Sequence, residues 1–268
     1  MGTPANIIGI MGKSKYLPLT TAWIATTGET DTTIINALNT FEASMIANGM
    51  SSDFIAFYPM VGGNSTKHSY NFMNPALYQL TFTGGWTHSA TGALPNGTNA
   101  YADTGINAST VFTQNDNHAS FYSRTNATGA SRVCIGSYIG SGSNSYGMQL
   151  KLATNTAAVF NASNAAGQFA TIANTNSEGF YLMNKTSSAI GGLTLDKNGS
   201  QIAANTVAIT TNSYPNTNVL ISALTTALQF DNKECAGVTL GLGLSGTKRT
   251  QSEGMINAFN TTLGRNVY

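Results

Sequence analysis

YQLTFTGGWTHSATGALPNGTNAYADT, running from Tyr78 to Thr104, combines a strand pattern with turn chemistry in one short stretch. Tyr78, Leu80 and Phe82 alternate with Gln79, Thr81 and Thr83, the period of two expected of a strand with one buried face. Gly84-Gly85 ends that strand and frees the backbone for positive φ, so that the Trp86 ring can lie across the end of a sandwich as a structural anchor. Gly92, Pro95, Asn96 and Gly97 then carry turn chemistry. This predicts that Thr87 to Asn99 is a surface loop of fixed path, with His88 hydrogen-bonded inside it.

Strand-like runs recur on both sides of this stretch, at 54–61, 118–125, 132–139, 146–153, 156–161, 178–186, 193–197, 200–209, 217–224 and 234–244. Lys197-Asn198-Gly199 between two of them is a strong hairpin signal. Short strands separated by Gly, Asn and Ser, without a repeat of fixed period, point to an all-β sandwich or jelly roll. Two segments depart from that period. From Asp31 to Asn48, the residues Ile34, Ile35, Leu38, Phe41, Met45 and Ile46 form one apolar stripe at helical spacing, with Thr30 or Asp31 as cap and Gly49 at the C-terminal end. Near the C-terminus, Thr250-Gln251-Ser252-Glu253 reads as a capping box ahead of Met255, Ile256, Phe259 and Leu263, and Gly264 ends that helix.

Residues 1–29 mix a short apolar run, Ile7 to Met11, with two lysines, Tyr16, Pro18 and Trp23. They are too few and too broken for a domain and read as an attachment or packing arm ahead of a domain spanning 30–268. That length suits a single large sandwich. Only 9% of the 268 residues are charged and the net charge is +1, so neither nucleic acid nor an acidic membrane surface is an expected partner. Polarity comes from Ser, Thr and Asn, roughly a third of the chain, which favour strands and turns over helices. Cys134 and Cys235 lie in strand-like runs and read as buried small hydrophobes. There is no basic-then-apolar leader and no membrane-length apolar run, so synthesis in a cytoplasm is expected.

GGWTHSATGALPNGTNAYADT, together with the upstream FYPMVGGNSTKHSYNFMNP from Phe57 to Pro75, resembles the concanavalin A-like, laminin-G-like domain common in structural proteins of tailed bacteriophages, many of them phages of Bacteroidota. The resemblance extends over about residues 30 to 268, to the C-terminal FNTTLGR, and does not reach the first twenty or so. It implies a concanavalin A-like jelly-roll sandwich flanked by an N-terminal amphipathic helix and a C-terminal helix. It also implies a virion context: a decoration or fibre protein made in the host cytoplasm, homo-oligomeric, joined through its N-terminal arm to other capsid or tail proteins, with a host surface polysaccharide as a further partner. Fold alone does not fix which role such a domain plays.

Catalytic chemistry is weakly signalled. Retaining hydrolases of this fold place two acids about 5 Å apart on one strand face, typically as Glu-x-Asp-x-Glu, and the chain has no such run. Asp231 and Glu234 are near neighbours, read as solvated charges at a loop end. His68, His88 and His118 lack the pairing at helical spacing that marks a metal site, and no Gly-x-Ser-x-Gly elbow occurs between a strand and a helix. Gln114 to Asn117 has oxygen ligands suited to calcium but only one carboxylate, and a turn explains it as well. The sequence therefore suggests no enzyme, no metal and no cofactor. Glycan binding needs an exposed aromatic face beside amide and hydroxyl groups. The candidates are Tyr138, Tyr146 and Asn144 in the 138–146 loop and Tyr214 in the 212–217 loop.

Overall fold

The computed structural model describes residues 14–129, 132–139, 145–163, 166–210 and 213–268. The chain enters through helices α1 (Pro18–Thr27) and α2 (Thr32–Ala47), strand β1 (Phe54–Tyr58) and one helical turn, α3 (Ser65–His68). Strands β2 (Thr81–Thr83), β3 (Trp86–Ser89), β4 (Gly92–Pro95) and β5 (Tyr101–Asn107) follow, then a second single turn, α4 (Ala108–Val111). Next come β6 (Asn117–Ser123), β7 (Ile135–Tyr138), β8 (Ser145–Gln149), β9 (Thr156–Ser163), β10 (Ala170–Ala173) and β11 (Gly179–Lys185). The chain ends with β12 (Leu193–Lys197), β13 (Ser200–Ala204), β14 (Asn218–Ile221), β15 (Cys235–Gly241) and helix α5 (Gly246–Thr262).

These strands form two antiparallel sheets packed face to face, the sandwich that the strand periodicity predicts. The eight-stranded sheet runs β13-β12-β11-β6-β15-β4-β3, with β1 also pairing β15. The seven-stranded sheet runs β10-β9-β8-β7-β14-β5-β2. The central pairings β6–β11, β6–β15, β7–β14 and β5–β14 join strands distant in sequence, as in a jelly roll, while β7 to β10 and β11 to β13 pair consecutively. Tyr58, Phe121, Tyr181 and Val238 of the larger sheet meet Ile106, Tyr146, Met148 and Val159 of the smaller one in the central core.

The two sheets differ on their outer faces. In the larger sheet, successive residues of one strand serve two cores: Tyr181 and Met183 face the other sheet, while Phe180 and Leu182 face the helices. Tyr122 and Ala236 likewise pack with Trp23, Leu38, Phe41, Met45, Met255 and Phe259 in a second core beneath α1, α2 and α5. Strands buried on both faces lose strict alternation, which is why β11 and β15 are buried along their whole length. The smaller sheet has no helix over its outer face among the described residues.

Several sequence expectations meet the structure directly. Asp31 caps α2, accepting from the amides of Thr33 at 2.8 Å and Ile34 at 3.3 Å. Asn198 and Gly199, with φ of 50° and 78°, turn the β12–β13 hairpin. Cys134 and Cys235 are buried free thiols. Among the described residues, no helix is long and apolar enough to cross a membrane.

Other expectations are corrected. The last helix starts at Gly246 with Ser245 as N-cap, so Thr250 to Glu253 lies inside it and forms no capping box. Thr87 to Asn99 is not a loop throughout: β3 and β4 form a hairpin at the edge of the larger sheet, Trp86 facing Pro95 and Ser89 facing Gly92. Gly92 and Pro95 read as turn residues and hide β4, although it pairs with β15 and is largely buried, while β3, the edge strand, buries little. Within residues 1–29, read as an attachment or packing arm, the described part packs on the core through α1, with Trp23 fully buried against Phe72 and Tyr70. Leu17 offers α1 no side-chain cap. Instead the buried Glu42 of α2 accepts from the amides of Leu19 and Thr20 and from the Thr20 hydroxyl, each at 2.8 Å. The Ile7–Met11 run lies outside the described residues.

Candidate functional site

The Tyr78–Thr104 stretch carries the chain from one sheet to the other and back. β2 belongs to the smaller sheet, β3 and β4 to the larger, and β5 returns beside β2. Gly84 makes the crossing with φ of 80°, and a Cβ there would collide with the Asn99 carbonyl. Trp86 sits at the crossing, half-buried, its Nε1 donating to the carbonyls of Thr83 at 3.0 Å and Tyr101 at 3.3 Å. His88 stacks on Trp86 and packs edge-on against Phe82. Its Nδ1 lies 2.9 Å from Nδ1 of the buried His68, so one ring donates and the other accepts. Burial lowers the pKa of both rings, that of His68 to about 3. His118 lies apart, on β6, hydrogen-bonded to the Leu242 carbonyl and the Thr239 hydroxyl.

The return strand β5 opens the uncovered face. Ala102, Thr104 and Ile106 are buried toward the core, and Tyr101, Asp103 and Asn107 take the alternate positions on the outer side. Across β14, Asn218 opposes Asn107 and Leu220 opposes Asp103. Asp103, Asn107, Asn216, Thr217, Asn218 and Tyr138 line a groove of about 350 Å³. Its polar groups hold one another in place. Asn218 Nδ2 donates to both Asp103 oxygens at 3.0 and 3.3 Å, the Gly105 amide donates to Asp103 Oδ1 at 2.8 Å, and Asn107 Nδ2 donates to Asn216 Oδ1 at 2.9 Å. The segment after β14 closes the groove's far side. It approaches β7 so tightly that a Cβ on Gly136 would stand 2.5 Å from the Ala223 carbonyl.

Tyr138 forms the wall between this groove and a smaller recess of about 200 Å³ lined by Gln149, Phe160, Phe169, Leu224 and Gln229. Beneath it Val133, Phe160 and Leu224 form a small apolar cluster against which Tyr138 and Phe169 pack. An aromatic edge thus stands beside a row of carboxylate, amide and hydroxyl groups on an open sheet face.

Of the four glycan-site candidates, the structure places Tyr138 here. Tyr146 and Tyr214 belong to the central core and are not surface-loop residues. Tyr146 is fully buried against Phe112, and the Tyr214 hydroxyl donates to Asn161 Oδ1 at 2.7 Å within a buried cluster. A strand's inward face claims a tyrosine whether or not the next residues are Gly and Ser. Asn144 lies outside the described residues. Sequence reasoning missed Asp103, Asn107, Asn216 and Asn218. The signal for the first two was the alternation within YADTGIN, which sets polar residues opposite apolar ones as on a strand with one wet face.

The carboxylates read for catalysis are engaged elsewhere. Asp231 is fully buried, not solvated, and meets Lys233 at 2.9 Å. Glu234 pairs with Arg124 at 3.0 Å and accepts from Thr91 Oγ1. Gln114 to Asn117 is a turn closed by a bridge between Thr113 and Asp116, and Asp116 Oδ1 accepts from the Gly243 amide at 2.6 Å. A larger hollow of about 470 Å³ beside Val61 to Gly63 holds Lys67 and Glu29, whose charges meet at 3.0 Å.

No family model matches the chain, and no curated protein matches it. Among solved structures, it is similar to Trypanosoma rangeli sialidase, with a TM-score of 0.51, 9% identity, and coverage of 83% of this chain and 39% of that one. The sialidase in complex with sialic acid gives a TM-score of 0.51 at 11% identity over 76% of this chain and 33% of that one. The receptor binding domain of botulinum neurotoxin D gives 0.47 at 8% identity, covering 76% of this chain and 53% of that one. The chain therefore spans well under half of the sialidase. At such identities the likeness speaks for the fold, a β-sandwich shared with proteins of unrelated sequence, and for nothing finer.

Proposed function

We propose that the protein is a non-enzymatic, lectin-like module that binds a glycan on the outer face of its seven-stranded sheet. One observation carries this reading: helices cover the outer face of the larger sheet, whereas the smaller sheet bears a groove in which Tyr138 stands beside Asp103, Asn107, Asn216 and Asn218. An aromatic ring offers a stacking surface and the fixed amides offer oriented donors and acceptors, the combination that carbohydrate recognition requires. A sialidase in complex with sialic acid among the structures of similar fold is compatible with a carbohydrate ligand. The test is a glycan array probed with the full chain and with Tyr138→Ala. The reading expects a bound glycan class whose affinity drops at least tenfold in the variant, with an unchanged melting temperature. Binding that ignores Tyr138, or no binding to any glycan, refutes it.

The resemblance of Phe57–Pro75 and Tyr78–Thr104 to phage structural proteins supports display of this module on a tailed-phage particle, as a decoration, fibre or host-attachment protein. Residues ahead of α1 would then join it to its capsid or tail partner. Deleting residues 1–13 is expected to abolish incorporation into virions while leaving the sandwich folded. Incorporation at normal occupancy would sink that attachment. Cryo-electron microscopy of virions separates decoration, with many copies on head or tail tube, from attachment, with density only at distal fibre tips.

A further inference from the structure

We propose that the groove on the seven-stranded sheet selects uncharged glycans and rejects acidic ones, with Asp103 as the discriminating residue. The inference rests on the glycan-binding reading above and adds the class of sugar. Asp103 is a half-buried carboxylate whose oxygens receive Asn218 Nδ2 and the Gly105 amide, all neutral donors. It takes part in none of the ion pairs among the described residues, and no Lys, Arg or His lines the groove. Its negative charge is therefore fixed in position and not neutralised by a partner. A sialic acid or uronate carboxylate entering the groove would meet like charge with no cation to receive it, and such juxtaposition is how a site rejects the wrong ligand.

The same geometry suits neutral sugars. Two donors hold the carboxylate and leave lone pairs to accept from sugar hydroxyls, and charge-assisted bonds of this kind are the stronger ones. The polar groups are also close together. β5 bulges between Asp103 and Asn107, where Gly105 has φ of 68°, so those four residues face only two of β14, and Asn218, opposite Asn107, reaches the Asp103 carboxylate. Carboxylate, amides and the Tyr138 ring thus line one groove, where a single sugar unit can meet several of them.

The experiment is titration calorimetry of the full chain at low salt with neutral trisaccharides (maltotriose, arabinotriose, chitotriose) and with acidic counterparts (trigalacturonate, sialyllactose). The expected result is at least one neutral ligand binding tenfold or more tightly than every acidic one, with the gap narrowing as salt is raised. In Asp103→Asn, which keeps an oxygen for the Gly105 amide, the acidic ligands should gain relative to the neutral ones. Acidic ligands binding the unmodified protein as tightly as neutral ones, or more tightly, would overturn the selectivity while leaving the glycan site standing. Failure of both classes to bind, with no hit on a wider array, would overturn the glycan site and this inference with it. The discrimination is read first in the unmodified protein, so misfolding of the variant could not rescue the proposal.

Discussion

Replacing Arg265 by methionine should cost about 4 kcal/mol of folding stability, and the structure explains why a surface-type residue near the C-terminus matters so much. Arg265 is 1% exposed, just past the Gly264 turn (φ 65°) that ends α5. Its guanidinium donates to Pro59 O at 2.6 Å, Ala236 O at 2.7 Å, Met60 O at 2.8 Å and Asn260 Oδ1 at 2.7 Å, and it lies over the Phe259 ring. Those carbonyls come from breaks in the sheet. Ala236 sits where the register of β15 against β6 shifts, and Pro59 and Met60 follow the end of β1. Arg265 thus supplies donors that the ladder lacks there.

Two terms oppose each other. Burial disfavours the charge and brings the guanidinium pKa down to about 9, so removing it recovers several kcal/mol of desolvation. Against this, four hydrogen bonds to a charged group are lost, each worth about 1.5–3 kcal/mol, and the acceptors stay buried. Breaking a buried polar arrangement from one side usually nets a loss of about 3–5 kcal/mol, and methionine keeps most of the volume, so cavity terms stay small. The loss should appear in urea or guanidinium unfolding and as a fall of roughly 8–16 °C in Tm, at about 2–4 °C per kcal/mol for a protein near this size. Arg265→Lys, with a point charge in place of a planar fork, should fall between the two. If the methionine variant unfolds within 1 kcal/mol of the parent, the carbonyls do not depend on Arg265 and the argument fails.

Three further outcomes follow from the same geometry. Glu42→Ala leaves the first amides of α1 without acceptors and should cost about 2 kcal/mol; intrinsic fluorescence would show Trp23 becoming solvated, and an unchanged spectrum and stability would argue against the cap. Among the described residues the buried Tyr146 hydroxyl has no hydrogen-bond partner, so Tyr146→Phe should be neutral or stabilising by up to about 1 kcal/mol, and a destabilised variant would contradict that environment. Burial lowers the pKa of His118 to about 4, so between pH 6.5 and 4 the unfolded chain binds a proton that the folded chain refuses. Stability should therefore drop as pH falls through that window, by about 3 kcal/mol at full effect for this group. His118→Gln should flatten the thermal-melt profile over that range, and an equally steep profile would place the acid sensitivity elsewhere.

Much of this protein is written locally. The Asn198-Gly199 turn, the Asp31 cap and the α2 stripe each report a short-range preference that tertiary packing leaves intact, whereas the alternation read over Tyr78–Thr83 yields only the short strand β2, with Tyr78 at φ of 57° ahead of it. Period-two patterning with frequent turn residues was enough for a β-sandwich. Which tyrosine is wet was not local: Tyr138 and Tyr146 stand on the paired strands β7 and β8, yet only the second faces the opposite sheet. The groove itself gathers Asp103, Tyr138 and Asn218 from three strands that become neighbours only when β14 inserts between β5 and β7. Arg265 likewise reads as an exposed terminal charge until the bulge at Ala236 and the end of β1 are brought to it. Most strands and the helix α2 are legible in the chain alone, because steric and hydrogen-bonding preferences act within a few residues. Helix α1, the β3–β4 hairpin and the choice of which sheet face stays uncovered emerge only from packing, because each depends on segments distant in sequence coming to rest against one another.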